Sequence, residues 1–209
     1  PVDLRRNTLK PDAPSLAEIF PDGKAIAALP NAWRLPAESA AVQHPAYAEG
    51  AFEVQDAASQ YGAGALDASA GMRVLDLCAG GGGKTVAIAA AANNDVTILA
   101  TDTHRARLQQ LPPRAERAGA TSIDIRLLNP NKELAMLDEW VGTADRVFVD
   151  APCSGSGTWR RSPELRWRSS KPRLDRHLAD QARLLDIGAV AVAKGGKMIY
   201  AVCSVMACE

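Results

Sequence analysis

The sequence lacks several features that would point to whole classes of protein. Its four cysteines form no Cys-x-x-Cys pair and its three histidines are scattered, which argues against a zinc site or a disulfide framework. Its 24 basic and 24 acidic residues cancel, so net charge alone indicates neither a nucleic-acid nor a membrane partner. No apolar run is long enough to span a bilayer, and no signal peptide is visible. We therefore expect a cytoplasmic protein with reduced thiols, no bound metal and no membrane contact.

The composition is otherwise that of a chain that buries a full core. Its 209 residues, 47% of them hydrophobic, suffice for one domain and a small appendage. From Gly71 onward, apolar strands alternate with helical segments. Strands are predicted over residues 72–77, 96–100, 123–128, 146–149 and 197–202, and helices over 84–92, 104–118, 134–140 and 174–193. The helical segment 104–118 is expected to break or restart at Pro112-Pro113, because proline belongs in the first turn of a helix. This order predicts an α/β fold with a doubly wound, mainly parallel, Rossmann-like sheet.

The start of the chain has a different character. Residues 1–50 carry many of the 13 prolines and the turn Pro21-Asp22-Gly23, and only residues 55–66 further on look clearly helical. We interpret residues 1–50 as a small N-terminal α+β module. Residues 51–209 then form the Rossmann-like domain.

Two cysteines directly follow predicted strands. Cys153 lies in the segment Asp-Ala-Pro-Cys-Ser-Gly that begins at Asp150, and Cys203 lies in Tyr-Ala-Val-Cys-Ser, residues 200–204. The carboxyl ends of parallel strands are where ligands bind, so both thiols are expected at one edge of the sheet. The alternative is that they are buried small hydrophobes, as free cysteines usually are.

A glycine-rich loop after the first predicted strand favours the functional interpretation of these thiols. Residues 78–85 read Cys-Ala-Gly-Gly-Gly-Gly-Lys-Thr. They are not a Walker A loop, because Cys78 stands where that motif needs glycine, and not a dinucleotide fingerprint, because Thr85 stands at its third glycine. A glycine-rich bend remains, whose amides and following helix N-terminus can approach a cofactor closely. Asp102 ends the next strand, where a carboxylate can accept hydrogen bonds from ribose hydroxyls.

Basic and aromatic residues are concentrated after Cys153. Lysines and arginines dominate the stretch from Trp159 to Arg176, with Trp167 among them. Arginine with an aromatic is the chemistry of phosphate contact and base stacking, although a solvated face with two half-buried tryptophans would show the same composition. The position after Cys153 favours a substrate surface. The candidate RNA-binding residues are Arg160, Arg161, Arg166, Trp167 and Arg168.

Taken in order, these segments resemble the Sun/Fmu/RsmB-type (NOL/NOP/Sun) family of RNA cytosine-carbon-5 methyltransferases, which use S-adenosylmethionine. The resemblance covers nearly the whole chain. Residues 3–10 resemble the start of the family's N-terminal module, and residues 50–60 its lead-in to the catalytic domain. Residues 76–85 match the cofactor loop, while 150–155 with 161–164, and 200–204, match the two cysteine motifs.

The resemblance implies a role for each motif. S-Adenosylmethionine would be held by Cys78, Ala79, Gly80, Gly81, Gly82, Gly83 and Lys84 at its methionine end, by Asp102 at the ribose and by Asn129 near the adenine. Asp150 would lie between cofactor and target base. Cys203 would be the nucleophile, and Cys153 the second thiol that helps to release the product. The chain is expected to lack the family's C-terminal strands.

The resemblance also implies the substrate and leaves alternatives. We expect a monomeric enzyme that methylates carbon 5 of cytosine in RNA through a covalent cysteine–cytosine adduct. Ribosomal RNA is favoured and transfer RNA is the main competitor. A non-catalytic RNA- and cofactor-binding scaffold is one alternative. A DNA cytosine methyltransferase is another, and there Cys153 of the Pro-Cys element would be the attacking thiol.

Overall fold

The first part of the chain forms a small antiparallel sheet in the structure, a computed structural model that describes residues 1–209. Its strands are β1 (Val2–Arg6), β2 (Lys24–Ala25), β3 (Ala32–Leu35) and β4 (Phe52–Val54), in the order β2-β3-β1-β4. Two one-turn helices accompany them, α1 (Leu16–Ile19) and α2 (Pro45–Ala48). Leu4 and Phe52 are fully buried at the centre of this small core.

The rest of the chain builds a five-stranded sheet with helices on both faces. After α3 (Ala57–Ala65), the elements follow as β5 (Met72–Asp76), α4 (Gly83–Ala91), β6 (Val96–Asp102), α5 (Arg105–Leu108), α6 (Leu111–Ala118), β7 (Ile123–Leu127), β8 (Ala144–Asp150), α7 (Glu164–Arg168), α8 (Lys171–Ala191) and β9 (Val192–Ala201). The strand order is β7-β6-β5-β8-β9 and every pair is parallel. The predicted doubly wound, Rossmann-like fold is confirmed.

Alternating side chains of the central strand feed two separate cores. Val74 belongs to the core that packs against α3, α4 and α6, whereas the adjacent Leu75 belongs to the core that packs against α8. Successive residues of a strand point to opposite faces, so β5, whose adjacent Val74 and Leu75 are both fully buried, must be covered on both sides. The chain order changes direction between β5 and β8, which places the switch point of the sheet at their carboxyl ends.

Two predicted elements differ in detail and a third is confirmed. The helix predicted over residues 134–140 is a pair of 3₁₀ turns, Leu134–Met136 and Asp138–Trp140, because the buried Leu137 between them leaves the helical region at φ −123°, ψ 22°. The helical segment predicted over 104–118 restarts at the proline pair as expected: it is divided into α5 and α6, with Pro112-Pro113 in the first turn of α6, where proline is tolerated. Strand β9 begins at residue 192 rather than 197, with a register irregularity opposite β8.

The small sheet is attached to the large one by buried polar contacts. Asn7 Nδ2 donates to the Ala118 carbonyl at the end of α6, at 2.8 Å. The carboxylate of Glu53, which is 2% exposed, forms ion pairs with Arg117 at 2.5 Å and Arg114 at 3.3 Å, both on α6. The division of the chain at residue 50 stays a prediction, and the first sheet itself extends through β4.

No helix of the structure combines the length and apolar character that crossing a membrane requires.

Candidate active site

A cleft of about 960 Å³ opens at the carboxyl ends of the parallel strands. Its volume lies at the upper end of the usual range for small-molecule sites, and its position at the switch point is where such sheets bind ligands. Both predicted cysteines and most of the predicted cofactor residues line it: Cys78, Ala79, Gly80, Gly81, Gly83, Lys84, Asp102, Asp150, Cys153 and Cys203. The sequence motifs therefore converge on a single cleft.

The glycine-rich loop between β5 and α4 is fixed by contacts from three neighbours. The Gly80 amide donates to Asp102 Oδ2 at 2.9 Å, so the carboxylate at the end of β6 also closes the loop. Arg114 Nη1 donates to the Gly81 carbonyl at 2.7 Å. Gln55 Nε2 donates to the Gly83 carbonyl at 3.1 Å. These contacts present a preorganised strip of backbone to the cleft.

Two predicted cofactor residues do not line the cleft. Gly82 caps the N-terminus of α4 in the left-handed conformation at φ +79°. A Cβ there would lie 2.0 Å from Leu111 Cδ1, so this glycine serves the packing of the loop on α6. Asn129 is exposed to solvent beyond β7, and the lining residues of that turn are Leu128, Pro130 and Asn131.

Asp76 lies beneath the loop at the end of β5 and is buried. Its Oδ2 accepts a hydrogen bond from Thr85 Oγ1 at 2.7 Å, while its Oδ1 has no partner. Burial raises the pKa of Asp76 to about 7, and the hydrogen bond from Thr85 only partly opposes this. A carboxyl group that is half protonated near neutral pH therefore supports the cofactor loop from below.

The two thiols meet at the other side of the cleft. Cys153 Sγ and Cys203 Sγ lie 3.3 Å apart, with Cys153 half-buried and Cys203 exposed. A hydrogen bond from the Cys203 thiol lowers the pKa of Cys153 to about 7, and the same interaction raises the pKa of Cys203. The pair therefore holds one thiolate and one proton near neutral pH. By contrast, burial raises the pKa of Cys78, which keeps that thiol inert.

Hydroxyl groups and one carboxylate connect the two cysteine loops. Ser204 Oγ, one residue after Cys203, lies 3.1 Å from Ser154 Oγ and 2.9 Å from Ser156 Oγ. Glu209 accepts hydrogen bonds from the Ser154 amide at 2.8 Å and from the Ser154 hydroxyl. Burial opposes ionisation of Glu209, but these hydrogen bonds outweigh it and hold its pKa below the usual range. These hydrogen bonds between the two loops hold Cys153 and Cys203 close to each other.

A cation and a carboxylate separate the cofactor loop from the thiols. Lys84 Nζ, at the start of α4, lies 2.5 Å from Asp150 Oδ2 at the end of β8, and both side chains line the cleft. The ammonium group also favours the thiolate form of Cys203. The centre of the cleft is therefore a charged pair flanked by a glycine loop on one side and two thiols on the other.

Of the five predicted RNA-binding residues, only Arg161 lines the cleft, where it pairs with Asp56 at 2.9 Å. The guanidinium of Arg166 lies 5.8 Å from the ring centroid of Trp167, and Trp167 is 82% exposed. Arg160 and Arg168 are exposed outside the cleft. The role of these residues in RNA binding stays a prediction. The alternative interpretation, a solvated face with two half-buried tryptophans, does not fit Trp167, because its side chain is exposed.

Several lining residues were not anticipated from the sequence. They come from segments to which the sequence assigned no role in the site: the lead-in to α3, the start of α5, the turn after β7 and the inner face of α8. The most polar of them are Gln55, Asp56, Arg107, Asn131, Glu133, Arg173, His177, Asp180 and Arg183. The one sequence signal that could have located them is their position near the carboxyl ends of the predicted strands, where such sheets bind ligands.

Comparison with known protein families gives a match over most of the chain. The family model of the 16S rRNA methyltransferase RsmB/F matches residues 63–209. The probable ribosomal RNA small subunit methyltransferase B of Synechocystis is 38% identical over 216 residues, covering 100% of this chain and 47% of that protein. The ribosomal RNA small subunit methyltransferase B of Yersinia enterocolitica is 37% identical over 183 residues, covering 85% and 40%. The chain spans about half the length of these curated relatives.

Solved structures agree with the fold. The crystal structure of PH0851 superimposes with a TM-score of 0.90 at 29% identity, covering 98% of this chain and 47% of that one. A methyltransferase homolog protein from Pyrococcus horikoshii superimposes with a TM-score of 0.83 at 27% identity, covering 99% and 65%.

Proposed function

Because the chain belongs to the 16S rRNA methyltransferase RsmB/F family, we propose that it methylates carbon 5 of a cytosine in RNA, ribosomal RNA first of all, through a covalent adduct with Cys203. The observation that carries this proposal is the pair of thiols, 3.3 Å apart, in the same cleft as the glycine-rich loop and Asp102. Methylation of an amino group or of a hydroxyl requires no thiol, whereas carbon 5 of cytosine reacts only after a nucleophile has added to the ring.

S-Adenosylmethionine is the family's cofactor, and the cleft fits it. The loop amides and the N-terminus of α4 are suited to the carboxylate end of a methionine group. Asp102, 4% exposed and lining the cleft, is the acceptor for ribose hydroxyls. Leu77 and Leu128 supply apolar surface for the adenine ring. When bound, the cofactor supplies an electrophilic methyl group.

The thiols would divide the reaction between them. As the Cys203 sulfur bonds to carbon 6 of cytosine, its proton passes to the Cys153 thiolate, and the electrons of the carbon 5–carbon 6 double bond make carbon 5 nucleophilic. After carbon 5 has taken the methyl group, it must lose its proton while the bond from carbon 6 to sulfur breaks. Cys153, returned to its thiolate form by exchange with solvent, is placed to accept that proton.

The Lys84–Asp150 pair would position the target base. Asp150 is the last residue of β8 and lies between the loop and the thiols, within reach of a ring that Cys203 attacks. Its carboxylate can accept a hydrogen bond from the exocyclic amino group of cytosine, and Lys84 fixes its orientation. The base must leave its stack to reach this depth.

The test uses radiolabelled S-adenosylmethionine with unmodified 16S rRNA and, separately, unmodified transfer RNA. We expect 5-methylcytosine in the ribosomal RNA with the wild type. We expect no product and no adduct with Cys203→Ala, and a detergent-stable protein–RNA adduct that accumulates with Cys153→Ala. Cys208→Ala, which removes an exposed thiol outside the cleft, is the matched control and should behave as the wild type.

Other outcomes select the alternatives. Loss of the adduct with Cys153→Ala and its retention with Cys203→Ala would assign the attack to Cys153, as in DNA cytosine methyltransferases. If 5-methylcytosine forms only in transfer RNA, then transfer RNA is the substrate. A protein that binds cofactor and RNA but methylates neither would be a scaffold.

A further inference from the structure

A second cavity of about 340 Å³ adjoins the catalytic cleft. It lies between the loop that carries Cys153, helix α7, the start of α8 and the segment after Cys203. Leu165, Leu174 and Met206 form its apolar walls, and Ser154 is also part of its lining. Since Ser154 is next to Cys153 and Met206 is three residues after Cys203, the cavity lies directly behind the two thiol loops.

The cavity and the cleft share two side chains, Arg173 and His177. A molecule that occupied both would therefore pass over a boundary made by a guanidinium and an imidazole. The Nε2 atom of His177 has no hydrogen-bond partner in the protein. Buried polar atoms are normally paired, so this imidazole keeps an unsatisfied nitrogen at the boundary between the cavity and the cleft.

The charge of the cavity is one-sided. Arg173 and Lys171 line it at the first turn of α8, and no aspartate or glutamate is among its lining residues. Arg173 makes no ion pair with a carboxylate, and Lys171 pairs only with the exposed Asp175 on its own helix. Apolar walls with a cationic mouth are complementary to a flat ring joined to a phosphate.

We propose that this cavity binds the base of a nucleotide that flanks the target cytosine in the RNA. The inference rests on the proposed function, because it takes the target base to occupy the cleft beside Cys203. Arg173 then contacts the phosphate between the two nucleotides, and the flanking base packs between Leu165, Leu174 and Met206. Such a subsite would make methylation depend on the neighbouring nucleotide as well as on the cytosine.

The test begins by mapping the cytosine that the full-length wild-type protein methylates in 16S rRNA. Short RNAs around it are then made with an abasic nucleotide at one flanking position at a time. For the wild type we expect one abasic RNA to lose kcat/KM by about tenfold, the scale of one lost base contact. Ser169→Trp, which fills the cavity, should lower kcat/KM for the intact RNA about as much and should be indifferent to the abasic site.

Two further variants distinguish the subsite from a general loss of charge or fold. Arg173→Ala should lower kcat/KM for the intact RNA and reduce the effect of the abasic site. Lys194→Ala removes an exposed cation at the opposite end of the sheet and should respond to the abasic site as the wild type does. Cofactor affinity should be the same in all four proteins, which shows that each is folded.

Equal kcat/KM for all abasic RNAs with the wild type would overturn the proposed subsite while leaving the methyltransferase intact. So would full sensitivity of Ser169→Trp to the abasic site. If the wild type methylates no RNA although it binds cofactor, the proposed function itself fails, and this result is distinct from either of the others.

Discussion

The glycine-rich loop after β5 and the two cysteine loops after β8 and β9 face each other across the cleft, but they are built differently. The glycine-rich loop is one continuous segment, held by Asp102, Arg114 and Gln55 from buried or half-buried positions. The cysteine loops are two segments 50 residues apart, joined through Ser154, Ser204 and other side chains near solvent. The cofactor side is therefore preorganised by the core of the domain. The thiol side depends on hydrogen bonds between its own loops and on those that Gln181 of α8 donates to them.

The largest difference between the two sides of the cleft is expected when one glycine on each side is replaced by alanine. In Gly82→Ala, the new Cβ meets Leu111 in a left-handed backbone conformation, so we expect a loss of about 3 kcal/mol in the free energy of unfolding and weak cofactor binding. In Gly157→Ala, the Cβ lies 2.8 Å from the Cys203 carbonyl oxygen, so the cysteine loops should shift while cofactor affinity is kept. Chemical denaturation and calorimetric titration with S-adenosylmethionine measure both effects. Equal loss of cofactor affinity in the two variants would contradict the conclusion that the glycine-rich loop and the cysteine loops are held independently.

The buried carboxyl group under the glycine loop should give stability an unusual pH dependence. Because the folded-state pKa of Asp76 is about 7, above its unfolded value, its contribution to stability is complete below about pH 4 and is lost as pH rises through 7. Asp76→Asn should remove this dependence and stabilise the protein at pH 8 by about 2 kcal/mol, less than the full linkage energy because the amide N–H gains no partner. Denaturation at pH 5 and pH 8 tests this prediction. If the free energy of unfolding of Asp76→Asn changes with pH as much as that of the wild type, the prediction is wrong.

The titration of Cys153 should depend chiefly on the thiol of Cys203. In a Cys208→Ser background, alkylation of Cys153 should show a midpoint near pH 7. Cys203→Ala removes the donor that stabilises the thiolate, so the midpoint should rise towards the ordinary value of about 8.5 and the rate at pH 7 should fall roughly tenfold. Mass spectrometry of iodoacetamide-treated protein reports the site. The glycine-loop variant Thr85→Val, as control, should leave this midpoint in place.

Glu209→Gln should have the smallest effect. The amide keeps the shape of the side chain but removes the charge that accepts from Ser154 and weakens the bond from Gln181. We expect a fall of severalfold in kcat, about 1 kcal/mol, with unchanged cofactor affinity. Glu116→Gln, on the exposed face of α6, is the matched control. If cofactor affinity falls along with kcat, then Glu209 supports the whole cleft and not the thiol loops in particular.

Local patterns predicted the elements of the fold better than their boundaries. Apolar strands, the bend at residues 78–83 and the proline pair in α6 are all properties of short segments, and the structure confirms them. The predicted helix at 134–140 failed because burial of Leu137 outweighed helical propensity. The predicted strand β9 was too short because its first residues pair with β8 across a register irregularity. Pairing between strands is not visible in a local sequence pattern.

The sequence by itself determined the parts of this protein whose physics is local: the alternating strands and helices, the glycine-rich bend, and the placing of Cys153 and Cys203 just beyond strand ends. The tertiary structure decided what those parts do to one another. It brought the two thiols to 3.3 Å, placed Asp76 where burial raises its pKa, and set Arg173 and His177 between two cavities. The reason is that distance, burial and charge environment arise between segments distant in the chain, whereas conformational preference arises within them.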